Sequence, residues 1–281
     1  MRSSRTVMNV FAGAVATVAV GARLVPGHEN SGPILRSAEA FVAPHRDSAS
    51  ITPSSLTSAS SMSSVANFTA RAISAFSGSV RPLSRANALE SAFRGYFAFR
   101  AAHPGEVKKP LLYFVDYGLS STTPRGYVFD MQTLQVVDGP FMVAHGRGSS
   151  SSQYGVPTHF SNASGSNATS LGLYVAEGTY DFHGHSGGRA YSSVGMRLLG
   201  VSTGFNDNAF DRRVVAHGAP YVTADKAGRS EGCPAMEPAR AARLLPRLSG
   251  GGMVFLFAPN DEWLSRDPWA SSSSQGSTSG L

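Results

Sequence analysis

Leu111-Leu112-Tyr113-Phe114-Val115-Asp116-Tyr117 opens a series of short apolar runs set between Gly, Ser, Pro and Asn. Tyr127–Met131, Leu134–Val137, Phe141–Ala144, Leu171–Ala176, Met196–Leu199, Val214–Ala216 and Met253–Ala258 continue it. Runs this short, each closed by turn-forming residues, predict strands of a mostly antiparallel β domain. Upstream, Leu89, Phe93, Tyr96, Phe97 and Arg100 fall on helical spacing until His103-Pro104-Gly105 stops them, so residues 85–109 read as a packing helix and lead-in. Downstream, Pro238 suits the first turn of a helix carrying Ala239–Leu248, which Pro246 should bend or end early.

Further out the core signals fade. Ser48–Ser64 holds nine serines in seventeen positions, and no residue from Ser48 to Ala70 is charged. Residues 23–84 therefore read as a flexible Ser/Ala/Thr linker, either a tether or an inert spacer, with too little apolar surface to offset the ordering of its backbone. Arg2 and Arg5, the apolar run Val7–Val20 and the small residues Val20-Gly21-Ala22 read as an export signal over 1–22, cleaved before Arg23 or kept as an anchor. Residues 261–281 end in Ser, Gly and Thr and are expected to be disordered.

Composition narrows the function. The chain has 281 residues, 42% hydrophobic and only 15% charged, which excludes a charge-solvated disordered protein. The N-terminal apolar run falls short of a spanning helix and is the longest, which excludes a polytopic membrane protein and leaves no stable span once the signal is removed. The single cysteine excludes a disulfide framework and an all-cysteine zinc site. A net charge of +6 suits an anionic partner, but Lys and Arg form no concentrated patch beyond Lys108-Lys109 and the scattered arginines after Pro238, so nucleic acid is not expected.

Two stretches carry chemistry: Val214-Val215-Ala216-His217-Gly218, and Gly228-Arg229-Ser230-Glu231-Gly232-Cys233-Pro234-Ala235. A cysteine without a partner is either a small buried hydrophobe or a thiol kept for its reactivity. Its setting between Gly and Pro in a polar loop favours reactivity, and Arg229 together with the helix start at Pro238 would favour the thiolate if the fold brings them close. A thiol nucleophile needs a base and a group that orients the base. His217, at a strand end before the permissive Gly218, is the candidate base, and the bland alternative is a satisfied strand-end histidine. Gly232 would let two successive N–H groups point at one spot, as an oxyanion hole requires.

A strand-end His-Gly followed by Ser-x-Gly-Cys resembles the active-site signature of the L,D-transpeptidases of bacterial peptidoglycan, the YkuD-like catalytic domain. Gly-Arg-Ser-x-Gly-Cys-Pro-Ala, with Val143–Ser149, Phe160-Ser161-Asn162, Ser170-Leu171-Gly172 and Gly204–Ala209, resembles more narrowly the murein L,D-transpeptidase catalytic-domain family. The similarity spans about residues 110–260 and implies a mainly β fold, a β-sandwich or barrel with one or two short helices. It further implies that Cys233 is the nucleophile, His217 the base and the Gly218 carbonyl its orienter, with the N–H groups of Gly232 and Cys233 holding the oxyanion. The thiolate would attack the third, diamino acid residue of a stem peptide and expel the terminal D-alanine, and an amine or water would resolve the thioester. No cofactor or metal is implied. Glu231 stands where the family commonly has an aromatic or a His/Arg, and Ala235 where many relatives carry an arginine, so carboxylate recognition passes to Arg229 or another arginine.

Substrate contacts are expected from Arg229, Ser230 and Tyr180, although Tyr180 would equally serve as packing. A rival set, His183-Gly184-His185 near Asp181, with His145 and His159 further off, would chelate zinc if it lay on a strand. The Gly-rich stretch Phe182–Arg189 reads instead as a surface loop, and His145 as a strand end. The sequence thus predicts an exported L,D-transpeptidase or L,D-carboxypeptidase of the periplasm or cell envelope, acting on peptidoglycan stem peptides. A non-catalytic wall-binding module with its thiol quenched by Glu231 is the second reading, and a zinc-dependent murein peptidase the third. Acceptor, preferred stem, signal cleavage and oligomeric state stay open at this level.

Overall fold

β1 (Leu111–Asp116) is buried along its whole length, so it must be covered on both faces. It pairs antiparallel with β2 (Gly126–Asp130) and parallel with β10 (Met253–Phe257), which is also buried throughout. The computed structural model describes residues 59–271, and in it these strands form the centre of an eight-stranded mixed sheet of order β3-β2-β1-β10-β5-β6-β7-β9. β3 is Gln135–Phe141, β5 Gly172–Ser186, β6 Arg189–Gly200, β7 Val215–Gly218 and β9 Ala235–Met236. β4 (His145–Gly146) and β8 (Arg229–Ser230) form a separate parallel pair. The chain is mainly β, as its turn-punctuated runs predict. The sheet ends at β3 and β9, which do not pair with each other, so it is open and not a barrel.

Side-chain alternation assigns each face of the sheet a helix. Phe114 meets Phe129, and Phe129 packs edge-on against Phe93 of α2 (Ala88–Ala102). Tyr113, on the opposite face, stacks on Phe141, which lies beneath Arg240 of α3 (Pro238–Leu248). α3 also packs on β6 and β7 and thereby braces the strand that carries His217.

Four expectations need correcting. The linker expected over 23–84 becomes helix α1 at Ala59–Phe76. Val65, Thr69, Ala72 and Phe76 are buried at helical spacing among the serines, and Phe76 packs on Phe93 and Phe129. The Gly-rich stretch 182–189 is a hairpin rather than a loop, because Gly187 and Gly188 both take positive φ at its two-residue turn. Pro246 does not end α3, which runs to Leu248, since a proline in the last turn removes little of the hydrogen-bond ladder. The tail is ordered through α4 (Asp261–Arg266) to Ser271. Trp263 donates its indole N–H to Asp267 at 2.8 Å and Trp269 donates to the Val201 carbonyl at 2.7 Å, both rings buried. The export signal, the first part of the linker and the last ten residues lie outside the described residues. No described helix is long and apolar enough to cross a membrane.

Candidate active site

β7 runs antiparallel to β6 and parallel to β9, placing His217 in register with Gly195 on one side and Ala235 on the other. Cys233 lies just before β9, at the end of the loop that leaves β8. Its Sγ accepts a long hydrogen bond from the Val215 N–H at 3.5 Å and faces the Arg213 carbonyl at 3.9 Å. The sheet therefore brings the thiol to the backbone of the strand that carries His217.

The loop is held by its own short side chains. Ser230 Oγ donates to the Cys233 carbonyl at 2.7 Å and accepts the Gly232 N–H at 3.2 Å. Gly232 sits at φ +125°, a conformation open to glycine alone. Ser230 is thus buried as a brace for the loop rather than turned to a substrate, and the Gly232 N–H expected in an oxyanion hole is directed at it. Arg229 lies under the 3₁₀ turn at Arg147–Ser149 and donates Nη1 to the Ser150 carbonyl at 3.0 Å.

His217 is buried, and its Nδ1 lies 3.0 Å from the Gly218 carbonyl. A carbonyl only accepts, so the proton sits on Nδ1 and Nε2 keeps its lone pair. The ring stacks on Phe182 with centroids 4.0 Å apart. Burial lowers its pKa to about 4, against which the Gly218 carbonyl acts weakly. His217 is therefore a neutral imidazole at neutral pH, oriented by the carbonyl the sequence singles out.

The thiol does not behave as its neighbours in sequence suggest. Burial pushes Cys233 up to about 11; the Val215 N–H and Arg212 work against burial, and Glu231 works with it. The expected low-pKa thiolate is replaced by a neutral thiol, because the partly buried sulfur is desolvated and Arg229 is committed to backbone carbonyls. Glu231 is exposed and its Oε2 accepts from Arg147 Nε at 2.7 Å. Tyr180, half-buried, lies close enough to be influenced by Cys233 and carries the Arg197 guanidinium 4.6 Å over its ring.

Sequence reasoning missed two charged groups here, Arg125 and Arg212, and read His145 as a strand end. Arg125 is completely buried, donating to the Val143 carbonyl from Nε at 3.0 Å and to Leu119 O from Nη1 at 2.6 Å. Its Nη2 reaches His145 Nδ1 at 3.1 Å, where Ser121 Oγ also lies at 2.9 Å. An arginine only donates, so His145 carries its proton on Nε2 and is a buried neutral group that ties β4 to Arg125 and Ser121, not merely a strand end; burial lowers its pKa to about 3. Arg212 is the second missed group, in the loop between β6 and β7. His183 and His185 project from exposed positions of β5, with His183 Nδ1 2.9 Å from Ser192 Oγ. Among the described residues no three His, Cys, Asp or Glu side chains are placed to hold one metal ion.

The two buried histidines make acid stability a direct readout. Each is neutral when folded, while the unfolded chain takes up a proton below its ordinary pKa of 6.5. Stability is therefore unaffected above pH 6.5 and falls as pH drops toward 4, by about 1.4 kcal/mol per unit for each histidine. At pH 5 the two together should cost about 4 kcal/mol. Asp116 and Asp267, raised by burial, act in the opposite direction at the acid end. Urea melts between pH 7.5 and 5 should show this slope, and His145→Gln should flatten it by roughly half.

A family model described as the L,D-transpeptidase catalytic domain matches residues 82–257, well over half of the chain. No curated protein matches. Similar solved structures include an L,D-transpeptidase from Mycobacterium smegmatis, at 16% identity and TM-score 0.31, covering 53% of this chain and 59% of that one. An L,D-transpeptidase from Mycobacterium tuberculosis H37Rv has 13% identity and TM-score 0.33, with 53% and 57% covered. One from Stackebrandtia nassauensis has 19% identity and TM-score 0.31, with 59% and 66% covered. The chain thus spans less than two thirds of the length of each. With the family model running from the approach to α2 through β10, over the strands that hold His217 and Cys233, the chain belongs to the L,D-transpeptidase catalytic-domain family.

Proposed function

We propose that this protein is an exported cysteine acyltransferase of the cell envelope, an L,D-transpeptidase or L,D-carboxypeptidase acting on peptidoglycan stem peptides. The observation that carries this reading is the fixed tautomer of His217: a buried neutral imidazole with its Nδ1 proton on the Gly218 carbonyl and its Nε2 lone pair available, on the strand whose backbone contacts the Cys233 thiol.

Both groups are neutral at rest, so the proton moves as the bond forms. His217 Nε2 takes the proton from Sγ while sulfur adds to the carbonyl carbon of the third stem residue, and the carbonyl oxygen becomes an oxyanion. Collapse breaks the peptide bond, and His217 returns the proton to the departing amine of D-alanine, leaving a thioester on Cys233. An amine of a second stem, or water, then attacks that thioester with the proton running the same route, giving a cross-link or a trimmed stem. Tyr180 and Arg229 border the loop and are the groups for substrate contact.

The wall-binding alternative rested on Glu231 disabling the thiol. Its carboxylate is paired with Arg147, and burial is a larger cause of the raised thiol pKa than Glu231, which weakens the cause that reading assigned. The test is incubation with a tetrapeptide stem ending in D-alanine. Release of D-alanine, unchanged by EDTA, is expected, with a cross-linked product when an amine acceptor is added. A folded protein that releases nothing would overturn the proposal, and activity lost to EDTA and restored by zinc would favour a peptidase built on His183 and His185.

A further inference from the structure

We propose that Arg212 is a positioning residue of this site, a fixed cation that favours the negative charge gathering on the Cys233 sulfur as His217 takes its proton. The inference rests on the acyl-transfer reading above.

Arg212 is half-buried in the loop that leads into β7. Nη1 donates to the Ser161 carbonyl at 2.7 Å, and Nη2 donates to the Ala168 carbonyl at 2.7 Å and to Ser166 Oγ at 3.1 Å. Every one of these acceptors is neutral. Nε is buried without a partner, and among the described residues no carboxylate forms an ion pair with the guanidinium. A partly buried cation left without an anion is costly, and such groups are ordinarily paired.

The cysteine loop lies against this cation. A Cβ built on Gly232 would stand 3.7 Å from Arg212 Nη2 and 3.0 Å from the Ala168 carbonyl that Nη2 holds. The guanidinium and its carbonyl partner therefore form the wall on which the Gly232-Cys233 peptide is laid. The next side chain along that peptide gathers partial negative charge as its proton leaves, and the guanidinium has no other anion to offset that charge.

The other groups facing the thiol do not supply a positive charge. Tyr117, Tyr180, Tyr191 and Tyr221 all feel Cys233, and burial raises all four, so each is a neutral phenol at neutral pH. His217 is neutral. Glu231 is negative and paired with Arg147. Arg213 contributes its carbonyl. Arg212 is the cation that works against burial at the thiol.

The test compares Arg212→Gln and Arg212→Lys with the wild-type chain. Both variants lose the fork to Ser161, Ser166 and Ala168 and should melt alike, so a difference between them reads charge. The pH dependence of iodoacetamide alkylation of Cys233 in R212Q should move up by about one unit. That leaves roughly a tenfold smaller thiolate fraction at a given pH, and acylation by a carbapenem should slow severalfold. R212K should follow the wild-type alkylation profile. An R212Q profile that coincides with wild type, or an R212K profile displaced as far as that of R212Q, would overturn the role assigned to Arg212. If the wild-type chain forms no acyl adduct, the acyltransferase reading fails, and the alkylation profiles still decide the role of Arg212.

Discussion

Cys233→Ala is expected to abolish release of D-alanine while leaving the fold intact. The protein has one cysteine, so no second thiol can take over the acyl group, and the loss should be on the order of 10⁶ in turnover. The fold should tolerate the change because the thiol supplies little to it. Its contacts are a 3.5 Å hydrogen bond from the Val215 N–H and a 3.9 Å approach to the Arg213 carbonyl. The bonds that shape the loop belong to Ser230, whose hydroxyl holds both the Gly232 N–H and the Cys233 carbonyl. Thermal melting of the variant should match wild type, and stem-peptide turnover should fall to the uncatalysed background. An active alanine variant would remove Cys233 from the mechanism.

His217→Gln should slow acylation by about 10²- to 10⁴-fold, the usual contribution of a positioned base. A neutral thiol at about 11 and a neutral imidazole at about 4 make a resting thiolate-imidazolium pair unfavourable. The base is therefore needed during bond formation, and its removal should reach the chemical step directly. Glutamine can keep a donor on the Gly218 carbonyl and lie under Phe182, so the lost group is the Nε2 base. Removing one buried histidine should also make this variant less sensitive to acid than wild type. Combined with Cys233→Ala it should add no further loss, since residues acting as one unit are not additive. A His217→Gln enzyme within severalfold of wild type would mean the proton leaves sulfur by another route.

What the sequence made legible follows from how local each signal is. The buried strands β1 and β10 show as unbroken apolar runs, and the loop that carries Cys233 shows through Ser230, Gly232 and Cys233, whose constraints are set by neighbours in the chain. The orienting carbonyl of Gly218 is likewise one residue from its histidine. α1 was hidden because its stripe of Val65, Ala72 and Phe76 is diluted by serines, and its burial depends on Phe93 and Phe129, distant in sequence. Trp263 and Trp269 order a tail whose composition reads as loose, through bonds to Asp267 and Val201. The electrostatics were the least legible part. Arg229, next to the cysteine loop in sequence, turns to Ser150, while Arg212, from a separate loop, reaches the wall behind Gly232. The rise of the thiol's pKa comes from burial by several elements at once, and a motif carries no trace of it.

Intact-mass measurement of the purified protein with a carbapenem, read beside the pH profile of Cys233 alkylation, tests the central claim most directly. The structure predicts one covalent adduct, mapping to Cys233 and absent from Cys233→Ala, on a thiol whose alkylation midpoint lies above the free-thiol value of about 8.5. An adduct elsewhere, or none on the folded protein, would contradict a neutral thiol-imidazole pair working as an acyl-transfer site.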